Sequence, residues 1–202
     1  MRKNVLAAAA ACCVLIGTSV SAGQIKFAPG TFKIYGGMDS GQTTSLYKPQ
    51  KAPGTSRQTV EFYESMEPGS ILIRTAERRL YYVLPNNKAI MYPVGVGREG
   101  FTWSGTNKIT RKAVWPDWRP PQVMIEREAK KGKIIPAFMA GGPENPLGAR
   151  ALYIGNTQYR IHGTTQPWSI GKAVSSGCIR LMNDEVIDLF NRVEIGATVI
   201  VE

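Results

Sequence analysis

From Pro68 onward, apolar residues come in short runs separated by turn-forming residues. Ile71-Leu72-Ile73 is one run, Leu80-Tyr81-Tyr82-Val83-Leu84 a second, and Ala89 to Val96 a third. Thr75 to Arg79 and Pro85-Asn86-Asn87 supply the turns between them. Strand-length runs rich in β-branched and aromatic residues, bounded by turns, predict a mainly β domain. Ala151-Leu152-Tyr153-Ile154, Tyr159-Arg160-Ile161 and Thr198 to Val201 predict further strands. One helix is expected after residue 182. Asn183 suits its N-cap, Asp184 and Glu185 suit its first turn, and Val186, Ile187, Phe190 and Val193 form one apolar face. Gly196 follows it.

Two stretches lack this pattern. Residues 98 to 148 hold Trp103, Trp115, Trp118, Pro120-Pro121 and Gly141-Gly142-Pro143, and read as a long lid-like insertion. Its tryptophans fit a lid or a core anchor equally well. Residues 23 to 67 read as a flexible basic leader. Between Gly36 and Thr59 the only apolar residues are Met38, Leu46, Tyr47 and Ala52, too few to offset chain entropy. Before that, Arg2 and Lys3 precede an apolar run from Val5 to Ile16, and Val20-Ser21-Ala22 offers small residues at a cleavage point. Residues 1 to 22 are thus expected to be a signal peptide. The apolar run, about 12 residues, is short for a membrane span. Export, and no stable membrane span after cleavage, are the expectation.

The formal net charge is +10 over 202 residues. A basic surface favours anionic partners. Export argues against nucleic acid, while a wall polymer bearing carboxylates fits the compartment. Cys12 and Cys13 lie in the signal, so Cys178 would be the sole thiol of the mature chain. It cannot form an internal disulfide, and a lone thiol in an oxidising compartment is either buried and inert or in use.

His162 is the chain's only histidine; it ends a predicted strand and precedes Gly163-Thr164. Cys178 stands in Ser175-Ser176-Gly177-Cys178-Ile179-Arg180. An imidazole that takes a thiol proton turns sulfur into a strong nucleophile. Gly177 lets the chain turn beside it, and backbone N–H groups there suit a developing oxyanion. Arg180 adds a cation that favours thiolate or forks onto a substrate carboxylate. One His and one Cys fall short of a zinc site, so no metal is expected.

At these residues the chain resembles the L,D-transpeptidases of the YkuD type. His162-Gly163-Thr164 and Ser175-Ser176-Gly177-Cys178-Ile179-Arg180-Leu181 resemble that family's signature. So do Tyr92-Pro93-Val94-Gly95-Val96-Gly97, Gly142-Pro143-Glu144-Asn145-Pro146-Leu147-Gly148 and Ala151-Leu152-Tyr153-Ile154-Gly155. The resemblance implies a YkuD-like β-sandwich or barrel catalytic domain over 68–202, with one short helix after the cysteine. It implies action on peptidoglycan stem peptides, a tetrapeptide donor and a diamino-acid amine acceptor, without a cofactor. It implies Cys178 as nucleophile, His162 as base, Gly163 orienting the imidazole, and Gly177 and Cys178 N–H groups at the oxyanion. Ser175 would sit near the base or stabilise the turn. Arg180, Ser176, Trp168 and Tyr153 are the candidates for substrate contact, with a core role open for Tyr153. Carbapenem-type inhibitors are implied as acylating agents, and the periplasm and cell wall as the location. Many family members carry histidine where this chain has Ser176, which puts the shape of the oxyanion pocket in question. An L,D-carboxypeptidase, an enzyme attaching an outer-membrane protein to the wall, and a non-catalytic wall-binding protein are the alternatives.

Overall fold

A computed structural model describes residues 56–202. The expected signal peptide and residues 23–55 of the expected leader lie outside the described residues. Eleven strands and two α-helices follow in the order β1 (Gln58–Glu61), β2 (Ile71–Arg74), β3 (Arg79–Leu84), β4 (Lys88–Pro93), β5 (Val96–Gly97), β6 (Gly105–Val114), α1 (Gln122–Ala129), β7 (Arg150–Ile154), β8 (Arg160–His162), β9 (Ala173–Ser175), β10 (Ile179–Arg180), α2 (Asn183–Arg192) and β11 (Thr198–Val201). Nine strands form one sheet in the order β1-β4-β3-β2-β11-β6-β7-β8-β10, while β5 and β9 form a small parallel pair. Among the described residues no helix is long and apolar enough to cross a membrane.

The domain is mainly β, as the apolar runs predict, and β6 explains how one sheet encloses a core. Its first half, Gly105 to Lys108, pairs with β11, and its second half, Ile109 to Val114, pairs with β7. The register shifts between Ile109 and Arg111. A bulge bends a strand and lets it pass from one layer to the next, as at a sandwich corner. Ile71, Ile73, Leu80 and Tyr92 from one half then meet Ile109, Leu152, Ile161 and Ile179 from the other. Val186, Leu189 and Val193 of α2 join the same cluster. Each fully buried aliphatic contributes roughly 1.5–3 kcal/mol.

Three expectations need correction. The insertion 98–148 contains β6 and α1, so it is not irregular throughout and α2 is not the only helix. β6 carries no apolar run because Ile109 is its only buried side chain. Helix α1 buries none. The leader's end is also folded: β1 adds an antiparallel edge to β4, and Phe62 is buried with Leu72, Val83 and Ala89. Finally, the cap of α2 is Met182, without a side-chain cap bond, and Asn183 is the helix's first residue. The Asn183 amide is used elsewhere. Its Oδ1 accepts from Ala149 N at 2.9 Å and its Nδ2 donates to Thr164 O at 3.2 Å.

Candidate active site

Strands β8 and β10 run parallel, with Ile161 opposite Ile179 and His162 opposite Arg180. Cys178 precedes Ile179 as Arg160 precedes Ile161, so Arg160 is its neighbour across the strands. Side chains alternate along a strand, and register partners share a face. Ile161 and Ile179 point into the core. Arg160, His162, Cys178 and Arg180 therefore project together from the opposite face.

His162 is only 3% exposed. Its Nδ1 lies 2.5 Å from Gly163 O. A carbonyl only accepts, so Nδ1 carries the hydrogen and Nε2 is the unprotonated nitrogen of the neutral ring. Burial, then the charge of Arg180, pulls the imidazole from 6.5 down to about 3. It is neutral near neutrality.

Cys178 is the one cysteine among the described residues, and it is partly exposed. Its Sγ points to Gln158 O at 3.8 Å, and no hydrogen bond joins it to His162. Burial raises the thiol, opposed by hydrogen bonding to Arg160 and by the charges of Arg160 and Arg180.

The turn before Cys178 is tightly held. Ser175 Oγ donates to Cys178 O at 2.6 Å and accepts from Gly177 N at 3.1 Å. That is the turn-stabilising geometry, and it occupies the Gly177 N–H, one of the two donors expected to face an oxyanion. Gly177 has φ +108, and a Cβ there would meet Tyr159 Cε1 at 2.5 Å. Tyr159 stacks on Trp103 with centroids 4.6 Å apart, and Trp103 Nε1 donates to Gly177 O at 3.2 Å. Ser176 Oγ accepts from Arg127 Nη2 of α1 at 3.1 Å, which ties the insertion to the turn before Cys178.

Arg180 Nη1 donates to Gln166 Oε1 at 3.0 Å, while its Nε is buried without a partner. Gly163 is crowded by Asn183, whose Oδ1 would lie 2.1 Å from an added Cβ. Tyr153 is buried under Arg111, at 3.6 Å from its ring centroid, and Arg160, at 5.1 Å. Trp168 is exposed in the single turn Pro167–Ser169, with Lys172 Nζ at 5.6 Å from its ring. Cys178, His162, Gly163, Ser175, Ser176, Gly177 and Arg180 thus fall on β8, the end of β9, β10 and the turns that flank them. Trp168 stands on the connecting loop and Tyr153 on β7. Trp103, Arg127, Tyr159, Arg160 and Gln166 complete the surroundings without having been singled out for it. Among the described residues, no group of three or more His, Cys, Asp or Glu is placed to hold a metal.

The fold is that of a mainly β domain with one histidine and one cysteine on neighbouring strands, and comparison with known proteins names its family. Residues 68–201 match the YkuD family, described as the L,D-transpeptidase catalytic domain, and the chain belongs to that family. It is 41% identical over 134 residues to the probable L,D-transpeptidase ErfK/SrfK of Escherichia coli K12, covering 64% of this chain and 42% of that protein. It is 32% identical over 146 residues to the putative L,D-transpeptidase YqjB of Bacillus subtilis, covering 68% of this chain and 74% of that protein. The chain thus matches less than half the length of the first relative. In fold it resembles an L,D-transpeptidase from Mycobacterium smegmatis, with TM-score 0.51, 18% identity, and coverage of 65% of this chain and 57% of that one. It also resembles the catalytic domain of the E. faecium L,D-transpeptidase, with TM-score 0.52, 19% identity, and coverage of 69% and 100%.

Proposed function

We propose that this protein is a peptidoglycan L,D-transpeptidase that forms 3–3 cross-links through a thioester on Cys178. The observation that carries the reading is the placement of the chain's only histidine and its one described cysteine on the same face of two adjacent parallel strands.

Rotation about the Cys178 Cα–Cβ bond takes Sγ away from Gln158 O and towards His162. Sγ attacks the carbonyl of the diamino acid at stem position three. The thiol proton passes to His162 Nε2, the nitrogen left unprotonated by the Nδ1–Gly163 contact. The carbon–sulfur bond forms, the carbon–nitrogen bond to D-alanine breaks, and the departing amine takes the proton from His162. The amine of a second stem then attacks the thioester and gives its proton to His162. The new amide forms as sulfur leaves, and proton return restores the thiol.

His162 is a weak base in the free protein because it is buried and faces Arg180. A substrate carboxylate paired with Arg180 cancels that charge and raises the basicity of the imidazole when substrate is present. The Cys178 N–H makes no backbone hydrogen bond among the described residues, which supports it as the donor to the oxyanion. The apolar run and small residues of positions 1 to 22 support export, and membership of the YkuD family supports peptidoglycan as partner and the periplasm as location. A carbapenem would acylate the same sulfur.

The test is mass spectrometry of the purified protein with a defined tetrapeptide stem, with and without an acceptor stem. Cross-linked dimer with loss of D-alanine supports transpeptidation. Tripeptide alone in both conditions replaces it with a carboxypeptidase. Dimer only when the acceptor is a protein amine points to protein attachment. Turnover that survives intact in Cys178→Ala, or a complete lack of thioester and carbapenem adduct on the wild type, overturns the mechanism.

A further inference from the structure

Arg111, Tyr153, Arg160 and Cys178 form one row across four strands. Arg111 of β6 is the register partner of Tyr153 of β7, and Tyr153 is the partner of Arg160 of β8. Arg160 in turn stands beside Cys178. The two guanidinium groups lie at 3.6 Å and 5.1 Å from the centroid of the Tyr153 ring. Neither Arg111 nor Arg160 makes a salt bridge among the described residues. Arg160 Nε is buried with no hydrogen-bond partner. A buried, unpaired donor on a cation is costly in a folded protein unless an anion completes it. Two cations without a carboxylate partner, set on one aromatic ring with Arg160 next to Cys178, are poised for such an anion.

We propose that Arg160 and Arg111, on either side of Tyr153, form a subsite for the carboxylate of the acceptor stem peptide. The inference rests on the transpeptidase reading and adds the residues that select its second substrate.

The direction of the row assigns it to the acceptor. Arg180, which we assign to the carboxylate of the donor stem, lies along β10 opposite His162. The Arg160–Tyr153–Arg111 row leaves Cys178 sideways, over β8, β7 and β6. Strands are spaced about 4.8 Å apart, so Arg160 is one spacing from the acyl sulfur and Arg111 about three. An acceptor whose amine and carboxylate share one carbon would pair its carboxylate with Arg160. Its amine would then stand next to the thioester carbon. The same guanidinium disfavours the ammonium form and so favours the neutral amine that attacks. In that step the amine nitrogen bonds to the carbonyl carbon, the carbon–sulfur bond breaks, and the amine proton passes to His162. Arg111, over the same Tyr153 ring, adds a second positive charge to that carboxylate site.

The experiment uses the whole protein and two acceptor stems. One bears a carboxylate on the carbon that carries the acceptor amine, and the other bears a primary amide there. Dimer formation is followed at varied acceptor concentration, and binding of each stem is titrated calorimetrically. In the wild type, the carboxylate stem is expected to surpass the amide roughly tenfold or more in kcat/KM, the scale of a charge-assisted hydrogen bond. Arg160→Gln and Arg111→Gln are expected to shrink that ratio towards one through a higher acceptor KM, with Arg160→Lys restoring part of it. A wild-type ratio near one, or variants that slow both stems equally and keep the ratio, overturns the subsite. The second result would mean that Arg160 acts only on the thiol. If no stem is turned over at all, the transpeptidase reading fails, and the calorimetric preference for carboxylate over amide still decides the subsite.

Discussion

Arg180 stands directly opposite His162 across the parallel β8–β10 pairing. The buried imidazole therefore faces a guanidinium that is itself buried at Nε. Burial is the largest cause that lowers the imidazole to about 3, and Arg180 is the next. Removing that positive charge raises the pKa, because the imidazolium no longer meets a like charge. His162 is the only histidine, so its ring protons are unique in an NMR spectrum. The wild-type resonance should stay that of a neutral ring down to pH 5. In Arg180→Gln the titration should move upward into a measurable range. An unchanged titration in the variant would remove Arg180 from the account of the neutral imidazole.

The same shift links folding to pH. His162 ordinarily titrates at 6.5 and in the fold at about 3. Between these values the unfolded chain binds a proton that the folded chain does not. Stability is therefore lost as pH falls from about 6.5 towards 3, by up to roughly 1.4 kcal/mol per pH unit from this group. Above 6.5 the group contributes no slope. Urea midpoints measured from pH 7 to pH 4 should fall in the wild type, and fall less steeply in His162→Gln. Parallel curves for the two proteins would show that His162 does not carry the effect.

How far sequence reached depended on which physical signal each residue carries. The runs at Ile71, Leu80, Ala89, Ala151 and Thr198 bury their apolar faces and are the strands β2, β3, β4, β7 and β11. Asn86 and Asn87, with φ of 62° and 55°, form the turn expected between β3 and β4. Strand β6 left no such trace, because it earns its place through backbone pairing with β11 and β7 rather than through apolar side chains. Asn183 shows the limit of local chemistry. A good capping residue was drawn instead to two buried backbone groups remote in sequence. At the site, His162 and Cys178 were legible from their rarity. Arg160 was readable in principle, since it lies two residues before His162 on a strand and must share its face. Arg127 and Trp103 reach the turn before Cys178 only through the path of the insertion, which no local pattern encodes.

Gly177 should tolerate no side chain. Its φ of +108 is a region that L-residues rarely adopt, and an added Cβ would press on the Tyr159 ring at 2.5 Å. That ring is backed by Trp103, so it cannot simply swing aside. Gly177→Ala is expected to cost about 1–3 kcal/mol from backbone strain alone. It should also displace the turn that carries Cys178, and thioester formation should fall at least tenfold, since small misplacements of reacting groups are expensive. Thermal unfolding and burst-phase acylation measure the two effects. Normal acylation in a fully stable variant would show that the turn is not held by this contact.

Asn183 is expected to matter through geometry alone. Its amide joins Ala149 N to Thr164 O and packs against Gly148 and Gly163, so it fixes the chain on both sides of the histidine loop. Asn183→Ala leaves a buried N–H and a buried carbonyl without their partners, at a cost of about 1–3 kcal/mol for each group left unsatisfied. Asn183→Asp keeps the acceptor for Ala149 N but loses the donor to Thr164 O, and it brings a charge into a buried position. Both variants should unfold at lower denaturant, with the alanine form retaining the single-histidine NMR shift only if the loop survives. A shifted His162 resonance in the folded Asn183→Ala protein would show that the imidazole's orientation depends on this amide. An unshifted resonance with wild-type stability would show that Gly163 holds the ring without it.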